Sequence, residues 1–324
     1  KVDRRKKNTL YLETLKMYSE LSLRKGCNGL FFPGGTRSRD GMLEKKLKLG
    51  LLGTALQAQR MNFIDNGEGA KKIFVVPVTI NYNFVLEAQS LIDQHLKRSG
   101  QELYYVENDN FSTSSKMLRF IYNFFTATSE MAVRFGKPMD LFGNRVDEKG
   151  VSYDPSNNEV DIKKYFYSNG EISKDAQRDA EYTRMLGDKI VERYHVEALV
   201  FSSQILAFAA FRIIKSRYAK MDLYGLMRLP SEDLIIRPKE LMDSVDKVVI
   251  RLREMNENGE VQLEKEIKEG NITNIVKKGI ANLGVYHVKM PLMYNAEGDF
   301  QSQDIKILYF YHNRLEGYEL QKCI

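Results

Sequence analysis

Phe31-Phe32-Pro33-Gly34-Gly35-Thr36-Arg37-Ser38-Arg39-Asp40-Gly41 joins a short apolar run to a glycine turn carrying two arginines. Gly29-Leu30-Phe31-Phe32 is β-prone, which predicts a strand over 30–32 that Pro33 ends, because proline has no N–H to give a sheet ladder. Gly34 and Gly35 tolerate positive φ and close backbone approach, so the turn is expected to aim N–H groups into a shared concavity. Thr36 and Ser38 add hydroxyl donors, while Arg37 and Arg39 add planar guanidinium forks that match phosphate oxygens in pairs. A phosphate monoester is the guest such a turn suits best. The same residue types also make ordinary polar surface turns, so the surroundings have to decide.

Working outward, the apolar spacing predicts a helix over 10–24, a helix over 43–59 and a strand over 73–80. Strands alternating with helices imply an α/β sheet, and open sheets of that class place ligands beyond strand ends, where the Arg37 turn follows its strand. Residues 132–135 read as a further strand, followed by a turn at Gly136-Lys137-Pro138. Residues 144–170 are largely polar, and Asp154-Pro155-Ser156-Asn157-Asn158 carries strong turn chemistry. These features divide the chain into a first domain over 1–148 and a mainly helical C-terminal region over 149–324. Within that region residues 161–255 read as helical with a break at 225–230, whereas 284–288 and 305–311 fit either strands or buried helix ends.

The turn and the run Lys72-Ile73-Phe74-Val75-Val76-Pro77-Val78-Thr79-Ile80 together resemble the third and fourth conserved blocks of the glycerolipid acyltransferases, the family of glycerol-3-phosphate and lysophosphatidate acyltransferases. Val2-Asp3-Arg4-Arg5 is similar to the end of that family's second block. The resemblance spans about residues 2–140 and is faint beyond them. It implies an acyltransferase-type mixed sheet with flanking helices, and an acceptor phosphate held by Arg37 with the Gly35 turn and Thr36. Arg4 would approach the same phosphate from the second block, Arg39 would assist or pair with Asp40, and Pro77 would shape the strand end beside the site. The first block, His-x-x-x-x-Asp, supplies the family's catalytic base. None of His95, His195, His287 or His312 has an aspartate five positions later, so no catalytic residue is assigned and that block is expected upstream of Lys1. Gly34 stands where the family usually has glutamate, so the role of that carboxylate does not carry over.

In the family a histidine takes the proton of a glycerol hydroxyl, which then attacks an acyl thioester, while the arginines hold the phosphate and so orient the acceptor. The resemblance therefore implies transfer of a fatty acyl chain from acyl-CoA or acyl carrier protein, with no other cofactor and no metal. Asn81-Tyr82-Asn83-Phe84-Val85-Leu86-Glu87 is similar to a Gly-Tyr-x-x-Val-x-Glu segment of the bacterial glycerol-3-phosphate enzymes and favours that acceptor over lysophosphatidate. Tyr309-Phe310-Tyr311-His312-Asn313 resembles a tyrosine-arginine-asparagine segment near the end of the same enzymes, with His312 at the arginine position. A non-catalytic module binding lipid phosphate or a membrane stands as a reading of another class.

Composition fits these expectations. The chain has 324 residues, 43% of them hydrophobic, which is enough for sizeable cores. A net charge of +6 suits phosphorylated ligands or an anionic membrane surface, and no zinc spacing, basic repeat or RNA-binding aromatic motif points to nucleic acid. Cys27 and Cys323 form no metal spacing and read as thiols of a reducing compartment. Residues 198–214 are strongly apolar, yet Ser202, Ser203, Gln204 and Arg212 interrupt them, so a buried helix is favoured over an interfacial one. Lys45, Lys46 and Lys48 either meet lipid headgroups or form a solvated face. With the resemblance, these features lead to the expectation of a peripheral or interfacial location at the cytoplasmic face of a membrane.

Overall fold

The computed structural model describes residues 8–35, 37–98, 130–285 and 287–324. Helices among them are α1 (Thr9–Arg24), α2 (Leu52–Asn66), α3 (Ala88–Arg98), α4 (Ala176–Glu197), α5 (Ser202–Arg217), α6 (Leu223–Leu226), α7 (Pro238–Glu257), α8 (Lys265–Glu269), α9 (Ile272–Asn282) and α10 (Ile305–His312). The two longer strands are β1 (Val78–Tyr82) and β2 (Met131–Phe135), which pair with each other. The protein thus mixes helix and sheet, as the alternation implied, but the strands gather into small sheets of two or three, one of which is a parallel pair between Leu199–Val200 and Gln262–Leu263.

The chain forms two compact units, each drawn from several segments: Lys1–Arg37, Glu44–Thr79 and Phe135–Tyr194 in the first, and Ser38–Leu43, Ile80–Arg134 and His195–Ile324 in the second. The junction expected after residue 148 falls inside the first unit.

The first unit has α1, α2 and α4. Asn8 Oδ1 caps α1 by accepting from Leu10 N at 2.8 Å, Ser19 meets Thr54 of α2 at 2.8 Å, and Arg24 meets Asp65 at 2.6 Å. The core gathers Leu52, Leu56 and Phe63 of α2 with Met139, Leu141, Phe142, Ile162, Phe166, Leu186 and Ile190. Phe142 stacks on Tyr165 at 4.3 Å and meets Phe166 edge-on at 5.5 Å. The polar stretch from 140 to 160 pairs Arg145–Val146, Ser152–Tyr153 and Glu159–Val160 in a small antiparallel sheet, whose turns are ordered by aspartates. Asp140 Oδ1 accepts from Phe142 N and Asn144 N, Asp147 Oδ1 from Lys149 N and Val151 N, and Asp154 Oδ1 from Asn158 N. The turn expected at 154–158 forms, with Asn157 at φ +65°.

Three element expectations are corrected here. Residues 30–32 are not a strand: Leu30 is 81% exposed and Phe32 is 67% exposed, because no neighbouring strand among the described residues supplies a ladder for this short run. The helix expected over 43–59 starts only at Leu52 and runs on to Asn66. Gly50 and the like-charged Lys45, Lys46 and Lys48 weaken the first part, which instead bonds to the glycine turn through Lys48 N and Pro33 O at 2.8 Å. The strand expected over 73–80 is broken at Pro77, which has no N–H: Val75 and Met139 exchange backbone bonds at 2.8 and 2.9 Å, and β1 begins only at Val78.

The second unit is built around α5, whose residues 202–211 are all buried, so the apolar run over 198–214 forms a core helix. Around it pack α7, α9 and α10, with Phe208, Phe211, Val245, Val248, Leu252, Ile275 and Leu308 in the core. Gln204 Oε1 accepts from Phe201 N at 3.2 Å and Glu264 Oε1 accepts from Ser202 N at 2.6 Å, so the start of α5 is capped by two side chains. Residues 305–312 settle as helix, whereas the stretch at 284–288 forms no strand among its described residues. No described helix is long and apolar enough to cross a membrane.

Candidate functional site

In the first unit the turn begins with Gly35 N donating to Phe32 O at 3.1 Å. Gly35 has φ +76°, which favours glycine, and a Cβ there would lie 2.6 Å from Lys48 Cδ and 2.8 Å from its Nζ. The Lys48 side chain therefore runs across the bare face of Gly35 and carries its ammonium to the turn. Gly34 meets a different group: a Cβ there would lie 2.5 Å from Glu44 Oε2 and 2.6 Å from Glu44 Cδ. The glycine pair is thus covered by the two ends of one segment, a carboxylate over Gly34 and an ammonium over Gly35. Tyr194 lies close enough that its hydroxyl is pushed above the usual range by burial first and by the Glu44 carboxylate second.

This corrects one detail of the sequence expectation. The Gly35 N–H does not point into a concavity, since Phe32 O takes it. Gly34 N–H has no partner among the described residues. Arg37 belongs to this unit and is exposed. Arg4 and Thr36 lie outside the described residues. Pro77 is buried before β1, and its carbonyl accepts from Gly136 N at 2.8 Å, a strand-end role.

Arg39 belongs to the second unit, where it donates Nε to Gln94 Oε1 of α3 at 3.3 Å and makes no ion pair with Asp40. Asp40 instead orders its own loop, Oδ1 accepting from Ser38 Oγ and Met42 N at 3.0 Å each. Asn313 Nδ2 donates to Asp40 O at 2.8 Å across 273 residues of sequence. Gly41 completes this docking with φ +82°, and a Cβ there would lie 2.1 Å from Phe310 O. The end of the arginine turn and the Tyr309–Asn313 segment, two separate resemblances in the sequence, are therefore in contact.

His312 is 1% exposed, stacks on Phe208 at 4.9 Å and shares a hydrogen bond with Asn313 Oδ1 at 3.0 Å. Because Asn313 spends its amide nitrogen on Asp40 O, its oxygen accepts and His312 Nδ1 carries the proton. Burial lowers the His312 pKa to about 3, outweighing the Glu316 carboxylate 3.2 Å from its Nε2, and lowers that of His287 to about 4, so both are very weak bases. His287 Nε2 faces Tyr311 Oη at 2.9 Å, and the same oxygen accepts from Val85 N at 3.0 Å. Both histidines hold structure together.

Glu44 and Lys48 lie against the glycine turn, which sequence reading did not foresee. Lys48 was visible as a charge near the turn, but nothing in the sequence showed that its chain would lie on Gly35. The chain matches no protein-family model, no curated protein and no solved structure.

Proposed function

We propose that the protein is an O-acyltransferase that moves a fatty acyl chain from acyl-CoA or acyl carrier protein to glycerol-3-phosphate in phospholipid biosynthesis. The observation that carries this reading is the Gly34-Gly35 turn, with Lys48 Nζ against Gly35, the Glu44 carboxylate against Gly34 and Arg37 two residues on. Arginine and lysine together neutralise a phosphate monoester, and the Gly34 N–H, without a partner among the described residues, adds a donor. A glycerol phosphate also carries hydroxyls, which a carboxylate recognises by accepting their protons in hydrogen bonds. The chain's glycine at 34 leaves room for Glu44 to offer that carboxylate from a distant sequence position. Exposed Leu10, Met17, Tyr18, Leu30 and Phe32 with Lys45 and Lys46, all of the first unit, support peripheral contact with an anionic membrane surface.

Chemistry needs a base to activate the acceptor hydroxyl. In the family that base belongs to a His-x-x-x-x-Asp block, and none of the four histidines of this chain stands in one. A module that binds lipid phosphate without transferring acyl groups is favoured by one observation, the structural roles of His287 and His312. Acyl transfer by the natural protein in membranes separates the readings, with glycerol-3-phosphate and lysophosphatidate offered separately and both thioester donors supplied. Product from glycerol-3-phosphate alone supports the proposal, product from lysophosphatidate alone moves it to that acceptor, and no product with either leaves the binding module.

A further inference from the structure

β1 turns a polar row inward. Thr79 and Asn81 are buried within it and Asn83 is buried just beyond it, at 6%, 1% and 2% exposure, while Val78, Ile80 and Tyr82 between them are more open. A buried strand face is normally apolar, so a polar row demands partners. Asn81 Oδ1 has one in Arg314, whose Nη2 donates at 2.8 Å. Asn83 Oδ1 has a long contact with Ser203 Oγ at 3.5 Å, and Asn83 Nδ2 has no hydrogen-bond partner at all. Asn81 and Asn83 lie two residues apart, which puts their backbones roughly 7 Å from each other.

Arg314 is the second irregularity. It is partly buried, makes no ion pair with any described residue, and offers no other hydrogen bond than the one to Asn81. Burial pushes its guanidinium below the usual range, and only the phenols of Tyr318 and Tyr82 oppose that effect. Arg60, 2% exposed, is neutralised by Asp179, whereas Arg314 has no acidic partner among the described residues. A guanidinium without an ion pair, bonded to Asn81, and an unsatisfied amide two residues further along the same row at Asn83 are costly to the fold and are explained most simply by a ligand that supplies what both lack.

We propose that Arg314, Asn83 and Ser203, with Asn81 orienting the guanidinium, bind a singly charged oxyanion, a carboxylate or a phosphate diester. One positive charge balances one negative charge, the free edge of the guanidinium meets two oxygens side by side, and the Asn83 amide and Ser203 hydroxyl donate to the same group. The first amide of α5 is already taken by Glu264, so side chains carry the site. The site belongs to the second unit and does not rest on the acyltransferase reading.

The test is thermal unfolding of the 324-residue chain at constant ionic strength, titrated separately with acetate, dimethyl phosphate and inorganic phosphate. Acetate or dimethyl phosphate is expected to raise the midpoint saturably, and the arm that responds identifies the source. Arg314→Met is expected to weaken that response about ten- to a hundredfold, the range of a charged hydrogen-bonded pair. Without anion, Arg314→Met removes an unpaired charge but also the bond that Asn81 Oδ1 accepts, so the response of each protein to anion is read against its own anion-free midpoint. Asn83→Ala, which deletes the orphan donor, is expected to weaken the response while leaving the fold intact. An equal response in parent and variants, or no response in either monoanion arm, would overturn the proposal.

Discussion

Replacing Gly41 by alanine tests whether the arginine turn is anchored where its end meets α10. The new Cβ would lie 2.1 Å from Phe310 O and 3.1 Å from Phe310 C, both backbone atoms that cannot rotate away. A carbon normally approaches a carbonyl oxygen to about 3.3 Å, so the loop must lift by roughly 1 Å. That movement stretches the 2.8 Å bond from Asn313 Nδ2 to Asp40 O past its useful range. Left-handed backbone costs alanine roughly 1–2 kcal/mol, the lost bond roughly 0.5–1.5, and displaced packing roughly 1 more. About 3–4 kcal/mol is therefore expected. Gly259→Ala is the control, since Gly259 has φ +75° with nothing within 4 Å of a Cβ, and it should cost only the handedness share of about 1–2 kcal/mol. Hydrogen exchange at the α10 amides, with Gly259→Ala read at the α7 amides, gives opening free energies without assuming that both units unfold together. Equal costs for the two substitutions, within about 0.5 kcal/mol, would refute the docking.

Arg60→Ala should destabilise the first unit by about 3–5 kcal/mol in chaotrope unfolding, because it strips Asp179 of a partner that is 2% exposed. His287 and His312 have folded pKa values of about 4 and about 3, below the unfolded value of 6.5, so their contribution is complete above pH 6.5 and is lost as pH falls toward those values. Each should add a slope of up to about 1.4 kcal/mol per pH unit between pH 6 and 4, and His312→Phe should remove about half of the combined slope in stability measured against pH. Gly34→Ala should push the Glu44 carboxylate off the turn, and calorimetry should show weaker glycerol-3-phosphate binding than to the parent, with inorganic phosphate binding changed less.

α1 was legible from its apolar spacing alone, which indicated 10–24 where the helix runs Thr9–Arg24. α5 was legible for a different reason: Ser202, Ser203, Gln204 and Arg212 interrupt its apolar run, and each finds a polar partner or edge inside the second unit. The run 30–32 failed because a strand is defined by its neighbour, and three β-prone residues carry no information about one. The start of α2 failed because tertiary bonding of Lys48 to Pro33 outweighed leucine spacing. At the candidate site, the glycines and arginines were readable as types, but Glu44 and Lys48 reach the turn through the folding of a nonhelical segment. Arg314 escaped notice because an unpaired arginine looks like any other in sequence, and only its surroundings mark it.

The central claim is that the Gly34-Gly35 turn with Arg37 and Lys48 holds a phosphate monoester. Calorimetric titration of glycerol-3-phosphate into this chain and into Arg37→Lys tests it most directly. A two-pronged guanidinium contact predicts saturable binding to the parent and at least tenfold weaker binding to the variant. Equal affinities, or no binding to the parent, would contradict it.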